Sequence, residues 1–443
     1  AIGEHNEAIQ NEIKEKRSRE NKVTDQQKRN GPLQGLTVIE LATVIAAPLG
    51  AAILADLGAR VIKVELIGGD PFRRMGLGGL GASRVNAGKE SISIDLKSSE
   101  GQGILHKLIE KTDILIHNYR PGVPERLGIG YEELSTIQPK LVYVSVNGYG
   151  PDGPGAHRPS THPIPGAGIG GAVWQMGNGR PKPCATLEEI KDMARRLFRA
   201  NELNPDPNTS AVVATATLLG ITARNRKNVG QQIFVDMFGA NAWANSDDFI
   251  SYPGKPERPD LDENLYGHGA TYRLYRTSQG WVFLAIVQDS EWNRFCELTA
   301  SKNLFANKKF STQEKRRLNE NELVQILETL FRKRKASEWE KLLATEGIGC
   351  VEADNQTEGE FWTDNQHVRE NNLIIKVKGQ NYGEHFRHND PIQFSGGNAT
   401  KTSTPLAGEQ TKPILSELGY SQKDIESLIT NETVWIEEPN PFS

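Results

Sequence analysis

Leu36-Thr37-Val38-Ile39-Glu40-Leu41, followed by Ala46 to Leu57 and then Arg60-Val61-Ile62-Lys63-Val64, is the stretch that decides the fold. Its outer segments are short apolar runs rich in β-branched residues, the pattern of buried strands. The segment between them is built from small residues and reads as a helix. A strand, a helix and a strand within about 30 residues predict a parallel pair joined by a right-handed crossover. The alternation continues outward. Ser91 to Leu96, Ile114-Leu115-Ile116 and Leu141 to Val146 read as strands, and Ser98 to Lys111 as a helix with one charged face. This first half is therefore expected to be an open α/β sheet.

Farther along, Gly148-Tyr149-Gly150-Pro151-Asp152-Gly153-Pro154-Gly155 is a turn-rich loop. Thr186 to Ala200 and Ala211 to Ala223 read as helices, and Gln232 to Val235 as a strand. Pro253, Pro256 and Pro259 mark a connector. Beyond it, Tyr272-Arg273-Leu274-Tyr275 and Gly280 to Val287 predict a hairpin, with helices around Glu291–Leu298, Glu322–Arg332 and Ser337–Thr345. This is the pattern of a second, smaller α+β domain. After Pro391-Ile392-Gln393-Phe394 the chain reads as loop, with one last helix near Ile414–Leu418. Residues 1–30 are almost all polar. The expected division is 1–30 extension, 31–245 large domain, 246–370 linker and small domain, and 371–443 a return to the large domain.

Composition narrows the function classes. The 443 residues are 37% hydrophobic and 24% charged, enough for two domains with substantial cores. A net charge of −4 leaves no basic footprint for nucleic acid. No apolar run reaches the ~18 residues that a membrane span needs. Cys184, Cys296 and Cys350 are odd in number and widely spaced, which speaks against a disulfide framework or a zinc site, so no metal is expected. The first residues are unlike a secretory or transit signal, and a reducing cytoplasm is the expected compartment.

Four motifs bear on chemistry. Gly76-Leu77-Gly78-Gly79-Leu80-Gly81 fits the spacing of a dinucleotide fingerprint, but no apolar strand precedes it, so it reads as a glycine loop. Asn118-Tyr119-Arg120-Pro121-Gly122 closes the strand at Ile116. With Arg126 it offers two arginines where open α/β sheets bind ligands, as phosphate partners or as solvated surface residues. His157 and His162 lie in a proline-rich loop with no hydrolase triad beside them. Finally, Asn204-Pro205-Asp206-Pro207-Asn208-Thr209-Ser210 sets one acidic residue between prolines, directly before an apolar helix. Asp206 is there either a helix cap or an ionised carboxylate nucleophile.

From about Gly31 to Gly419 the chain resembles the class III (CaiB/BaiF-type) coenzyme A transferases, the group that includes formyl-CoA transferase and the α-methylacyl-CoA racemases. The similarity is carried by Pro32 to Glu40, by Ala46-Ala47-Pro48, and by Leu54-Ala55-Asp56-Leu57-Gly58-Ala59 running to Glu65. It continues through Gly69-Asp70-Pro71 with Arg73, Asn118 to Gly122 with Arg126-Leu127-Gly128, Gly148-Tyr149-Gly150, Gly230-Gln231, Asp289 to Phe295, and Pro405 to Glu409.

The resemblance implies an open, mostly parallel Rossmann-like sheet built from N- and C-terminal segments, a smaller α+β domain between them, and an interlocked dimer. It implies coenzyme A thioesters as substrates, with no permanently bound cofactor, and covalent catalysis by a carboxylate through acyl-aspartyl anhydride and aspartyl-CoA thioester intermediates. Counting back from Gly230-Gln231 puts the family's aspartate on Asp206, with Asn208 also matching. The implied CoA contacts are Val44, Ile45, Ala46, Ile94, Lys97, Asn118, Tyr119, Arg120, Arg126 and Met237, and His162 is a candidate for the site's lining. The expected partners are an acyl-CoA, with succinyl-CoA as one candidate, and a carboxylic acid, in a homodimer or a heterodimer with a related subunit.

This sequence also departs from the family pattern. Asp206 is flanked by prolines where the family has Gly-Asp, Ser210 stands at a glycine position, and Ala185 to Leu203 reads as an insertion. Leu66 replaces an arginine, Thr161-His162 stands where the family has a tyrosine or histidine followed by an acidic residue, and Gly267-His268-Gly269 is all that remains of a glycine-rich lid. Two other functions stay open: an acyl-CoA racemase, and a non-catalytic subunit of a heteromeric transferase. Trp174, Trp243 and Tyr266 are candidates either for an acyl pocket or for packing.

Overall fold

The computed structural model describes residues 31–75, 80–169, 186–189, 191, 204–246, 250–255 and 266–439. The polar extension, Gly76 to Gly79, Trp174, Cys184 and most of the 185–203 segment lie outside them.

Six parallel strands form the framework: β1 (Thr37–Leu41), β2 (Arg60–Glu65), β3 (Glu90–Ile94), β4 (Ile114–His117), β5 (Val142–Asn147) and β6 (Gln231–Asp236). Their spatial order, 3-2-1-4-5-6, is that of a doubly wound nucleotide-binding sheet. Alternate side chains feed different cores. Ile39, Leu41, Ile62, Val64, Leu115 and Tyr143 point into one. Val38, Val61, Ile114, Ile116, Val142 and Val144 point into the other. Burial on both faces explains why these strands read as continuous apolar runs.

The second face is covered by helix α1 (Ala46–Asp56) and by a 23-residue helix, Pro205–Lys227. They approach closely enough that a Cβ on Gly50 would meet Val213 Cγ1 at 2.8 Å. The long helix begins at Pro205 and not near Ala211 as expected, because Pro205 and Pro207 fall in its first turn. The amide that proline lacks has no intrahelical partner there, and its fixed φ is already helical.

The smaller unit is an antiparallel sheet in the order β10-β9-β8-β7, comprising β7 (Gly267–Gly269), β8 (Tyr272–Arg276), β9 (Trp281–Ala285) and β10 (Gly349–Ala353). The expected hairpin is β8–β9. Helices Asp289–Leu298, Glu320–Phe331 and Ala336–Ala344 pack on it through Trp292, Phe295, Phe331 and Trp339. Gly267-His268-Gly269, read as a lid remnant, is the edge strand β7.

The C-terminal stretch is richer than its sequence suggested. A hairpin of β11 (Ile374–Gly379) and β12 (Gly383–His388) precedes the loop. Two helices, Thr411–Glu417 and Gln422–Thr430, stand where one was expected, and β13 (Val434–Trp435) joins the large sheet antiparallel to β3. The hairpin is tied to the end of α1 by Arg387, whose Nη2 lies 2.7 Å from each carboxylate oxygen of Asp56. Among the described residues, no helix is long and apolar enough to cross a membrane.

Candidate active site

The sheet order reverses between β1 and β4, so the turns that follow these strands diverge and leave a crevice at their carboxyl ends. The expected CoA-contact residues Val44, Ile45 and Ala46 form one wall, and Asn118, Tyr119 and Arg120 the other. The walls are latched. Thr43 N donates to Asn118 Oδ1 at 3.0 Å, and Asn118 Nδ2 donates to Thr43 O at 2.8 Å. Lys97 and Arg126, both exposed, follow β3 and β4 at the same edge of the sheet. Ile94 is placed differently. It is buried in the core opposite Val434, so its side chain offers no surface to a ligand.

Val44 carries φ +69°, a left-handed conformation costing on the order of 1–3 kcal/mol and rare for a β-branched residue. Its amide faces the Asp70 carboxylate, at 3.3 and 3.4 Å. Asp70 belongs to a buried charge network that composition alone did not reveal. Glu40 on β1 and Lys63 on β2 are direct partners in the parallel ladder. Lys63 Nζ donates to Glu40 at 2.8 Å and to Ala42 O at 2.7 Å, and lies 3.1 Å from Asp70. Lys89 contacts the other Glu40 oxygen and donates to Pro48 O at 2.8 Å.

Burial disfavours both ammoniums, with opposite net results. Around Lys63 the charges of Glu40, Asp70 and Glu65 outweigh burial and raise its pKa. Around Lys89 burial wins and brings it down to about 8, Glu40 opposing and Lys63 repelling. Beside them, burial would raise Glu65, but Arg73, Lys63 and Ser91 hold it down at about 2.

His117, at the end of β4, is kept neutral by burial, its pKa lowered to about 3. Its Nδ1 accepts from Tyr119 N at 3.2 Å, so Nε2 carries the proton and donates to Ser145 Oγ at 2.9 Å. This bond fixes the backbone of Tyr119 at the crevice. A charged or neutral polar residue inside an apolar strand (Glu40, Lys63, His117) was the signal for these residues, because buried strands exclude such groups unless they are paired.

Asp206 lies one turn of chain from the crevice. It is not the helix cap. Asn204 occupies that position, at φ +50° and without a side-chain cap bond, Pro205 follows, and Asp206 comes second in the helix. Its carboxylate instead accepts from His162 Nδ1 at 2.9 Å. Burial raises the Asp206 pKa, while the hydrogen bond and charge of His162 and the charge of Arg84 pull it down, leaving it above the ordinary 3.8. The positive end of the helix favours the ionised form as well.

The departures around Asp206 have local explanations. Ser210 Oγ lies 2.7 Å from both Ala46 O and Asp206 O and shares its one hydroxyl proton between them, tying the Asp206 turn to the wall of the crevice. Asn208 Nδ2 donates to Asn241 Oδ1 at 3.0 Å, and Asn241 Nδ2 in turn donates to Pro205 O and Met237 O. Met237, buried at the end of β6, contacts Ser160 through sulfur. Asp206, His162, Asn208 and Met237 thus form one cluster, joined to Ala46 through Ser210. His157 is exposed, and Trp243 stands 75% exposed. Arg84 and Asn241 carry no motif in the sequence. The strand that a dinucleotide fingerprint requires is also missing, since a 3-10 turn, Pro71–Arg74, precedes the glycines.

Comparison with known proteins places this geometry in a family. Residues 33–411 match CoA-transferase family III. The chain is 31% identical over 329 residues to acetyl-CoA:oxalate CoA-transferase of Acetobacter aceti, covering 72% of this chain and 80% of that one. It is 27% identical to the succinyl-CoA–L-malate CoA-transferase beta subunit of Chloroflexus aurantiacus, over 91% of this chain and 98% of that one. A crystal structure of a CAIB/BAIF family protein from Brucella suis superposes with TM-score 0.71 at 26% identity, covering 88% of this chain and 100% of that one. Both the sheet and the matched residues therefore lead to one conclusion: the chain belongs to CoA-transferase family III and is a class III CoA transferase.

Proposed function

We propose that this enzyme moves coenzyme A from an acyl-CoA, succinyl-CoA being the first candidate, to a carboxylic acid, with Asp206 as the covalent nucleophile. The observation that carries the proposal is the Asp206 carboxylate itself: buried, held by His162, and carried on the first turn of a long helix whose backbone Ser210 ties to the wall of the switch-point crevice. The succinyl donor is suggested by the name of the Chloroflexus relative. The other CoA contacts proposed are Val44, Ile45 and Ala46 by backbone, Asn118, Tyr119 and Met237 by packing, and Lys97, Arg120 and Arg126 toward the phosphates.

The exchange balances without an external acid or base. An Asp206 oxygen attacks the donor thioester carbonyl and CoA leaves as thiolate, giving an acyl-aspartyl anhydride. The thiolate attacks the aspartyl carbonyl, releasing the donor acid as carboxylate and leaving an aspartyl-CoA thioester. The acceptor carboxylate attacks that carbonyl, again expelling thiolate, and the thiolate takes the acceptor acyl group and frees Asp206. No proton is consumed, so the site needs a nucleophile and close positioning more than a proton shuttle.

The test is to incubate the enzyme with succinyl-CoA, trap the adduct with hydroxylamine or borohydride, and identify the modified peptide by mass. Modification at Asp206 is expected, and modification elsewhere, or none in a preparation that exchanges thioesters, would sink the proposal.

His162 tunes this nucleophile. Its hydrogen bond and charge both lower the Asp206 pKa, so His162→Ala should raise it. The acid limb of the kcat/KM profile, which reports the free enzyme, is expected above 3.8 in the wild type and higher still in the variant. A limb that stays put or moves down would show that His162 does not set the nucleophile's ionisation.

Racemase chemistry needs a base on each side of a carbon, whereas His162 and Asp206 bond directly at 2.9 Å with no space between them. The subunit reading is favoured by the name of the Chloroflexus relative. Exchange activity that appears only when a second, related chain co-purifies would establish it over an interlocked homodimer.

A further inference from the structure

We propose that Asp70 is a positioning residue for coenzyme A binding: its carboxylate, fixed by the buried Lys63, holds Val44 in the left-handed conformation that shapes the turn between β1 and α1. This rests on the reading that the turn receives CoA. A β-branched residue does not stay at φ +69° unaided, and the structure supplies the restraint from two sides. On one side the Thr43–Asn118 pair latches the turn to β4. On the other, both Asp70 oxygens face the Val44 amide.

Asp70 cannot follow Val44 if the turn relaxes. It is 1% exposed, with Lys63 Nζ 3.1 Å from its carboxylate. Its own amide donates to Glu65 Oε2 at 2.8 Å, and Phe72 N donates to Oδ1 at 2.9 Å. The geometry matters because Ile45, at the N-terminus of α1, makes no side-chain cap bond. Rotating Val44 to an extended conformation turns the peptide planes on either side of it, and with them the entry of the helix into the crevice.

The test is CoA affinity measured by calorimetry on the full chain, which needs no transferase chemistry. Asp70→Ala is expected to weaken CoA about tenfold, with KM for acyl-CoA rising in step and kcat changing less than about twofold. Adding Val44→Gly should recover at least half of the lost binding free energy, because glycine adopts this φ freely. Loss of the Phe72 bond alone, a purely structural effect, is untouched by Val44→Gly and would show no recovery. If Asp70→Ala does not fold, Asp70→Asn keeps an acceptor but drops the charge facing Lys63. It is expected to weaken CoA about threefold, again relieved by Val44→Gly.

Unchanged affinity in a folded Asp70 variant, or a loss that Val44→Gly leaves in place, overturns the proposal. A wild-type protein that binds CoA normally with no adduct at Asp206 would count against the nucleophile assignment and leave this inference standing. A wild-type protein that binds no CoA overturns both.

Discussion

Asp206→Ala is expected to lower kcat for thioester exchange by at least about 10³-fold while leaving CoA affinity within about threefold of wild type. The split follows from where the residue sits. A nucleophile makes its decisive contact only after the bond begins to form, so its loss falls on kcat and not on the encounter with substrate. Asp206→Asn is the stricter variant. It keeps the shape of the side chain and an oxygen to accept from His162 Nδ1, and removes only the ionised carboxylate. The same collapse of kcat in both variants, with unaltered unfolding curves, would isolate the charge as the cause. Exchange at near wild-type rates in either one would end the assignment of Asp206 as the nucleophile.

Glu40→Gln is expected to produce the largest stability loss, about 3–5 kcal/mol, read as a lower denaturant midpoint with an unchanged slope. Glu40 is fully buried and is the shared anion of Lys63 and Lys89. Lys63 keeps Asp70 in the variant, but Lys89 loses the one carboxylate bonded to it among the described residues, and the single amide oxygen of the new glutamine leaves it neutral acceptors only, with the Pro48 carbonyl. Lys89 can escape by releasing its proton. Its pKa, already lowered to about 8 by burial, falls further once Glu40 no longer opposes that effect.

The pH dependence carries a sign. Between the lowered folded pKa and the ordinary 10.5, the unfolded chain binds more protons, so raising pH stabilises the folded state. The deficit of Glu40→Gln relative to wild type should therefore narrow from pH 7 toward pH 9. A deficit below about 1 kcal/mol would mean that the network relaxes onto other partners and does not hold β1, β2 and α1 together.

Much of the framework was legible because the signals were local. The parallel strands announce themselves as β-branched runs buried on both sides, and the switch-point walls follow from where those runs end. Pro205 and Pro207 misled the helix boundary because their tolerance depends on falling in a first turn, a fact that appears only once the helix is in place. The β11–β12 hairpin and β13 were missed for the same kind of reason. Residues such as Lys376, Glu384 and His385 make no apolar alternation, and what holds the hairpin is Arg387 reaching Asp56, far away in sequence. The cluster around Asp206 was half legible. Its offset from Gly230-Gln231 singled out Asp206, and the Ser210 bond to the Asp206 carbonyl is local, one helical turn on, but the contacts of Asp206 with His162, of Ser210 with Ala46 and of Asn241 with Pro205 join distant segments that no single stretch encodes.

The left-handed Asn204 followed by Pro205 acts as a joint. Chain direction is reset at one residue, and the next three positions include two whose φ is fixed by a ring. The direction of the carboxylate two residues later is therefore set by the helix that begins at the joint. From that joint on, the geometry of the turn is held from within the described fold, by Ser210 reaching Ala46 and by Asn241 reaching Pro205.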